Sequence, residues 1–217
     1  MIERGVMFGN IHSYYDLNLI LAPFVPAPAT PKTVYVDVDG ADGSLDLTEA
    51  HGEVKYKNRE HTFVFTVNPL DEKPFDEKVT QVANALNGKK CKITIDRDSD
   101  YYWEGRCVVE KYAQDRNLKQ ISIKATVNPY KMKQKETIVS IALTAEEKEV
   151  VLKNGRKSVV PEITCTDDNT VVKFGSFEKK LSAGTHTILD IYFKEGANTL
   201  IVSGSGTITI KYREGEL

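Results

Sequence analysis

The sequence has few of the residues from which redox and metal sites are usually built. It contains three cysteines in 217 residues, Cys91, Cys107 and Cys165, and no two of them form a C-x-x-C pair. An odd number of widely spaced cysteines predicts neither a disulfide framework nor a structural zinc site. Cys107 alternates in phase with Trp103 and Val109, so we expect a reduced cysteine in a hydrophobic core.

The chain also lacks a long apolar run and an excess of charge of one sign. No segment approaches the roughly 20 apolar residues of a membrane-spanning helix, and the first ten residues carry no apolar signal segment. Lys and Arg number 29 against 31 Asp and Glu, a formal charge of −2. A protein that grips DNA or RNA through phosphates usually shows a basic excess. We therefore expect a protein that is made and folded in the cytoplasm, outside the membrane and without sequence-specific nucleic acid binding.

Catalytic and metal-binding motifs are missing as well. A calcium loop counted from Asp37 or from Asp96 fails at the glycine of position 6 and at the glutamate of position 12. His61 and His186 each begin a predicted strand, and we interpret both as surface or edge histidines. The sequence has no G-x-S-x-G turn and no phosphate-binding loop. A pair of catalytic carboxylates that are distant in sequence and meet only in the folded protein stays an open alternative. The sequence nevertheless predicts a protein that is not an enzyme and has no metal or cofactor.

What is present is strand-like alternation. In the segment 61–68, Phe63, Phe65 and Val67 point one way and Thr62 and Thr66 the other, which is typical of a half-buried strand. Similar patterns predict strands at 33–38, 53–58, 61–68, 92–95, 101–112 and 119–127. In the 101–112 strand, Trp103, Gly105, Cys107 and Val109 are predicted to share the inward face.

One stretch repeats its apolar residues at helical spacing. The segment 74–87 places Phe75, Val79, Val82, Ala83 and Leu86 on one side, with acidic residues in the first turn and Gly88 as the stop. The sequence therefore predicts a mainly β fold with a single helix near 74–87.

The first thirty residues are predicted to form an extended arm. They pass through Leu19, Ile20 and Leu21 and end in a Pro-Ala connector that holds Pro23, Pro26, Pro28 and Pro31. Proline has no amide hydrogen for a sheet and keeps its own backbone extended.

A break at Asn128-Pro129-Tyr130 divides the chain into domains at 1–130 and 131–217. The second part shows turn residues about every 8–12 positions, which predicts a small antiparallel β-sandwich. Its strands are predicted at 137–143, 149–152, 159–164, 170–174, 177–181, 185–193, 199–203 and 207–212. An alternative function is a carbohydrate-binding β-sandwich, but the only tryptophan, Trp103, lies outside this domain, and most of its Phe and Tyr residues fit core positions.

Pieces of sequence spread over nearly the whole chain carry a family resemblance. They are the segments DGSLDLT (42–48), VKYKNR (54–59), ID (95–96), YYWEGR (101–106), VNPYK (127–131), NG (154–155), VPEI (160–163), EGANTL (195–200), GSG (204–206) and YREG (212–215). In this order and spacing, the chain resembles the distal tail protein (Dit) family of long-tailed, siphovirus-type phages and prophages of Gram-positive bacteria.

The resemblance implies a structural role at the phage tail tip. The first domain of such proteins forms a six-membered ring, and the second is a galectin-like β-sandwich that holds other baseplate or receptor-binding proteins. The ring lies between the tail tube protein and the tail-associated hub protein and leaves a channel for DNA. This chain has no room for the carbohydrate-binding insert of some members.

A ring needs one subunit contact repeated around an axis. We predict that the segments 10–31 and 33–38 contribute to this contact. The individual residues predicted for it are Leu19, Leu21, Pro23, Phe24, Pro26, Tyr35 and Arg59. We interpret Arg59 and Arg106 as exposed structural arginines, with interfacial ion pairs as the alternative.

Overall fold

The computed structural model describes residues 5–50, 52–115 and 118–217. The chain divides into two compact units, Met1–Lys131 and Met132–Leu217. Both consist of antiparallel strands, and the only α-helix of the described residues lies in the first unit. The predicted fold class, mainly β with one helix, is confirmed.

Seven antiparallel strands of the first unit lie side by side in one sheet, in the order β2-β1-β7-β8-β9-β6-β3. A separate hairpin of two short strands, β4 and β5, leaves this sheet between β3 and β6. The strands of the unit are β1 (Val6–Phe8), β2 (Ile11–His12), β3 (Leu19–Leu21), β4 (Tyr35–Asp37), β5 (Ser44–Asp46), β6 (Arg59–Val67), β7 (Lys90–Ile95), β8 (Tyr101–Asp115) and β9 (Leu118–Val127).

The chain connectivity forces this sheet to curl. β2 and β3 lie at opposite edges, yet only residues 13–18 join them. Seven flat strands would hold the two edges about 29 Å apart at the usual strand spacing. The connection could reach about 24 Å only if it were fully extended, and it contains turns closed by bonds such as Asp16 N–H to His12 O, 3.0 Å. The two edges therefore approach one another and the sheet forms a barrel-like curl.

Aromatic rings fill the inside of the curl. The centroids of Phe8 on β1 and Phe63 on β6 are 5.6 Å apart, although three strands separate β1 from β6 in the sheet. Trp103 and Cys107 on β8 are buried in the same core, as their predicted inward phase requires. Tyr102, which alternation places on the other face, is also buried, with Lys92 Nζ 4.5 Å from its ring centroid.

Helix α1 (Phe75–Leu86) occupies the position that the apolar spacing predicts. Asp76 and Glu77 lie in its first turn, where negative charge is favourable next to the helix N-terminus. The chain leaves the helix through Gly88, which has a φ of 75° and therefore suits glycine. Phe75, Val82 and Leu86 are buried in the core of the first unit.

The helix also buries a charge that the apolar pattern does not reveal. Lys78 is 1% exposed and pairs with the carboxylate of Asp71, while its Nζ donates to the carbonyl oxygen of Leu17 at 3.0 Å. Burial by itself raises the pKa of Asp71. Hydrogen bonds from Lys78, from the Lys73 amide and from Asn18 outweigh that effect, so the pKa lies below its usual value. The hydrogen bond to Leu17 attaches the helix to the turn before β3, and the ion pair attaches it to the segment between β6 and the helix.

The prediction of an extended N-terminal arm over the first thirty residues is wrong for its described part up to Phe24. Three strands lie within it, and Val6, Phe8, Leu17 and Leu19 are buried in the core. The apolar residues at 17–21 close the curled sheet instead of reaching outward. Residues 1–4 lie outside the described residues.

The second unit is a sandwich of two four-stranded antiparallel sheets with the orders β11-β18-β13-β16 and β12-β17-β14-β15. Both sheets contribute to one core, for example Ile163 and Ile210 from the first and Leu200 and Val202 from the second. The remaining strands of the chain are β10 (Lys131–Lys133), β11 (Thr137–Ala142), β12 (Lys148–Asn154), β13 (Glu162–Cys165), β14 (Thr170–Phe174), β15 (Phe177–Leu181), β16 (Gly184–Thr187), β17 (Gly196–Ser203), β18 (Thr207–Tyr212) and β19 (Gly215–Glu216).

Two predicted strands differ from the structure. The segment 185–193 is a strand only as far as Thr187, because a turn closed by Ile191 N–H to Ile188 O follows and leaves Leu189 exposed. The segment 53–58 contains no strand and contributes one bridge, between Tyr56 and Pro31.

Candidate assembly surfaces

The seven residues predicted for a subunit contact fall into two groups. Leu19, Leu21, Phe24 and Arg59 are buried within the first unit, so their side chains already have partners in its interior. Pro23 and Tyr35 are exposed and Pro26 is half-buried. The contact itself stays a prediction, and the surface available for it comes from the second group.

Pro23, Pro26 and Tyr35 all lie on a ribbon that we call the arm, residues 22–58. Its two halves run antiparallel, held by Lys57 N–H to Thr30 O (2.8 Å), Lys32 N–H to Lys55 O (2.7 Å) and Leu47 N–H to Val34 O (2.8 Å). The β4–β5 hairpin forms its outer end. The extended element of the structure thus lies in the chain between β3 and β6 and not over the first thirty residues, where it was predicted.

The hairpin at the end of the arm exposes one apolar face. Val36 lies directly opposite Leu45, and alternation places Val34, Val38 and Leu47 on the same face. These five side chains are between 37% and 54% exposed. An isolated two-stranded hairpin is at best marginally stable in water, and this one has no sheet packed on its apolar face in the described part of the chain. Such a face is typical of a surface that a partner covers.

The opposite face and the turn of the hairpin are acidic. Between positions 33 and 50 the sequence has five acidic residues and no Lys or Arg, in a chain whose formal charge is −2. Ser44 Oγ donates to Asp37 at 2.6 Å. Hydrogen bonds from the side chain and the amide of Thr48 lower the pKa of Asp46. The hairpin thus presents an apolar face bordered by negative charge, which favours a partner surface with the opposite charge.

The base of the arm is held by side chains. Three prolines at positions 23, 26 and 28 cannot donate ladder hydrogen bonds there. Arg59 Nε donates to the carbonyl oxygen of Ala27 at 2.6 Å, the amide of Ala27 donates to His61 Nδ1 at 3.2 Å, and Arg97 donates to the carbonyl oxygen of Phe24 at 2.8 Å. We call these three side chains, Arg59, His61 and Arg97, the clamp.

His61 is the clamp residue that sequence reasoning misplaced. It was interpreted as a surface or edge histidine, but it is 1% exposed, and its ring lies 4.9 Å from that of Trp103. Burial, and then the positive charge of Arg59, lower the pKa of His61 to about 4. The ring is therefore neutral at pH 7, as its role as an acceptor for Ala27 requires. The start of β6 is covered by the proline-rich base of the arm, and no local pattern shows this cover.

The long β8–β9 hairpin offers a second exposed surface that the sequence did not indicate. Its outer part, residues 110–115 and 118, is exposed, and Tyr112 and Leu118 are the large apolar side chains there. Arg106, the other arginine considered for an interface, is exposed near the opposite end of β8 and donates to the carbonyl oxygen of Gly88. Its placement fits the structural alternative.

The second unit gives little support for sugar stacking. Tyr192 is its only exposed aromatic residue, at 42%, and Lys194 Nζ lies 5.4 Å from the centroid of that ring. The other rings of this unit are buried or half-buried. A sugar would have to compete with the ammonium group for one face of the ring.

Chemical centres were also sought among the described residues. Residues 5–50, 52–115 and 118–217 contain no group of three or more His, Cys, Asp or Glu side chains placed to hold a metal ion. Cys91 and Cys107 are free thiols with their sulfur atoms 3.8 Å apart. Their hydrogen bond lowers the pKa of Cys91 and, together with burial, raises that of Cys107. No described helix is both long and apolar enough to cross a membrane.

Comparison with known proteins is informative at the level of solved structures. No family model and no curated protein matches the sequence. Among solved structures, the chain is similar to the Dit (gp 19.1) protein of SPP1, which is described as a paradigm of the hub adsorption apparatus in phages that infect Gram-positive bacteria. The TM-score is 0.70, the match covers 96% of this chain and 98% of that chain, and 13% of the residues are identical. The chain therefore has the fold of a distal tail protein, as the sequence resemblance predicts.

Proposed function

We propose that this chain is a distal tail protein, a structural component of the tail tip of a long-tailed phage or prophage of Gram-positive bacteria. It assembles in the cytoplasm of the host as a ring of six copies that becomes part of the virion. The ring joins the tail tube protein to the tail-associated hub and baseplate proteins and leaves a channel for DNA. It has no catalytic role and needs no cofactor.

The observation that carries this proposal is the fold. The likeness to the SPP1 hub protein extends over both units of this chain, because 96% of its residues are covered. A similarity of this extent supports a ring-forming domain at 1–130 and a peripheral galectin-like domain at 131–217 in this chain. The peripheral domain would hold other baseplate proteins.

The arm supplies a suitable subunit contact. Its apolar hairpin face, Val34, Val36, Val38, Leu45 and Leu47, would be covered by the neighbouring copy of the chain, with Tyr35 at the edge of the contact. Pro23 and Pro26 stiffen the base, so less conformational entropy is lost when the arm is ordered on a neighbour.

The charge distribution favours a head-to-tail contact. Residues 33–50 carry five acidic side chains and no Lys or Arg, so the rest of the chain has a net positive formal charge. A hairpin of this charge is repelled by the same hairpin on another copy and attracted by the remainder of the molecule. Contacts between two different surfaces generate rings when the rotation closes.

The first test is the mass of the purified chain in solution at several concentrations, measured by light scattering after size exclusion. Six copies of a 24.3 kDa chain give about 146 kDa. A species of this mass that shows sixfold rings in electron micrographs is the expected result. A chain that stays monomeric alone and in the presence of the purified tail tube and hub proteins would refute the ring. A glycan screen of that monomer would then decide for the carbohydrate-binding alternative.

A further inference from the structure

The arm leaves the curled sheet through a short base, and the contacts of this base set its direction. On the inner side, the last backbone bond before the prolines runs from Ala22 N–H to Val64 O, 2.9 Å. On the outer side, the ribbon bonds begin with Lys57 N–H to Thr30 O. Between them the chain passes three prolines, the clamp side chains hold its backbone atoms, and Phe24 packs into the core with its ring centroid 4.4 Å from that of Phe63.

Arg59 is the clamp residue that joins the arm base to a second segment of the chain. It is 6% exposed, and its guanidinium bridges two segments, with Nε donating to Ala27 O at 2.6 Å and Nη1 donating to Pro129 O at 3.2 Å. The guanidinium group is planar and rigid. Ala27 is consequently fixed with respect to the chain that follows β9. Arg59 also lies beside Trp103, with Cζ 5.9 Å from the ring centroid, so that its position is defined by the core.

We propose that Arg59 is a positioning residue that fixes the exit direction of the arm. This inference rests on the proposed function where it concerns the ring. A sixfold ring requires a rotation of 60° at each contact, and an error of about 10° at each contact adds up to about 60° after six copies, which prevents closure. Arg59, which the sequence predicts as an interface residue, therefore influences the interface indirectly, because it orients the arm from inside its own subunit.

The arm itself offers a direct measurement, because Lys32 lies on it and is a site for trypsin. When opening and closing are fast, the cleavage rate follows the population of the loosened arm. We expect Arg59→Met to accelerate cleavage after Lys32 about tenfold, since a buried hydrogen bond from a charged group is lost. Cleavage after Lys119, on β9, serves as the internal reference and should not change. A variant that merely destabilises the unit would accelerate both cleavages.

Arg106→Met is the matched control, because Arg106 also donates to a backbone carbonyl oxygen but lies away from the arm base. It should leave both cleavage rates and the ring unchanged. For Arg59→Met we expect a distribution of oligomer masses in place of one species near 146 kDa. If the methionine variant does not fold, Arg59→Lys keeps the charge but cannot bridge both carbonyl oxygens, and the same acceleration is expected.

The outcomes separate this inference from the proposed function. A wild-type chain that forms no ring counts against the proposed function, while the cleavage rates after Lys32 still decide the role of Arg59. An unchanged cleavage rate after Lys32 in the folded Arg59→Met or Arg59→Lys variant overturns the inference and leaves the proposed function standing. A folded Arg59 variant that forms a uniform ring overturns the inference as well, and it also leaves the proposed function standing.

Discussion

The buried His61 predicts how the stability of the first unit depends on pH. The folded protein holds the pKa of His61 at about 4, against 6.5 for the free side chain. Between these values the unfolded chain binds a proton that the folded chain does not. Stability from this residue is therefore complete above pH 6.5 and declines as the pH falls toward 4.

The size of the effect follows from the difference between the two pKa values. Each pKa unit corresponds to about 1.4 kcal/mol, so a shift of this size gives about 2–3 kcal/mol between pH 7.5 and 4.5. Many domains have only about 5–15 kcal/mol of stability in all. One histidine would therefore account for a large share of the acid sensitivity of the first unit.

The assay uses the single tryptophan of the chain. Trp103 lies in the first unit, with its ring 4.9 Å from that of His61, so its fluorescence reports urea unfolding there. Wild type and His61→Phe are compared from pH 7.5 to 4.5, at a concentration at which both are monomeric. The variant loses the acceptor for Ala27 and is expected to be less stable at pH 7.5. From pH 7.5 to 4.5, the wild type should lose about 2–3 kcal/mol more free energy of unfolding than the variant, because only the wild type has His61 to protonate on unfolding.

The difference between the two proteins isolates His61 because carboxylates that also titrate, such as Asp71, contribute to both. His186→Gln is the control, since His186 lies in the second unit and should not affect unfolding reported by Trp103. A wild-type minus variant difference that stays within about 0.5 kcal/mol from pH 7.5 to 4.5 would refute the assignment of His61 as a buried neutral acceptor.

Three further outcomes are expected. Asp71→Ala leaves Lys78 buried without its partner and should lower the free energy of unfolding by about 3–5 kcal/mol. The double variant Asp71→Leu with Lys78→Met should restore most of this stability, because no charge is then left buried. A loss below about 1 kcal/mol in Asp71→Ala, as for an exposed ion pair, would contradict a buried pair. Val36→Asp on the apolar hairpin face should abolish the ring without lowering the urea midpoint of the first unit. The control Val151→Asp, at another exposed valine, should change neither the ring nor this midpoint. A ring that survives Val36→Asp argues against the hairpin contact. Iodoacetamide at pH 8 should label Cys91 in the folded protein before Cys107 and Cys165, because the pKa of Cys91 is lowered and the pKa values of the other two thiols are raised. Equal labelling of the three cysteines would contradict the hydrogen bond between Cys91 and Cys107.

Local patterns predicted those elements whose causes are local. The helix at Phe75–Leu86 is recognisable from its own apolar spacing and its glycine stop, and β6 and β9 from their own alternation. Lys78 was not expected to be buried because its partners, Asp71 and Leu17, lie outside the helix. His61 was misplaced for the same reason, since its cover comes from residues more than thirty positions earlier.

The candidate assembly surface shows the same division between local and distant causes. A proline-rich, extended element was evident from the sequence, and Pro23, Pro26 and Tyr35 do lie on it. The boundaries of this element could not be predicted, because the sequence around Leu19 and Leu21 is equally compatible with a strand that closes the sheet and with an arm that extends from it. The pairing of β3 with β6, which decides the question, joins residues more than forty positions apart.

The closure of the sheet explains why the arm is an internal loop instead of a terminus. β1, β2 and β3 occupy one side of the curl and its two edges, so this part of the chain cannot leave without opening the core. An element that reaches a neighbour then has to be an excursion with both ends anchored, and the arm begins after β3 and returns at β6. Two anchors and antiparallel bonds along the arm reduce its freedom more than a single anchor would. Two of the three clamp residues at its base, Arg59 and His61, are buried, so the anchors of the arm belong to the core from which it extends.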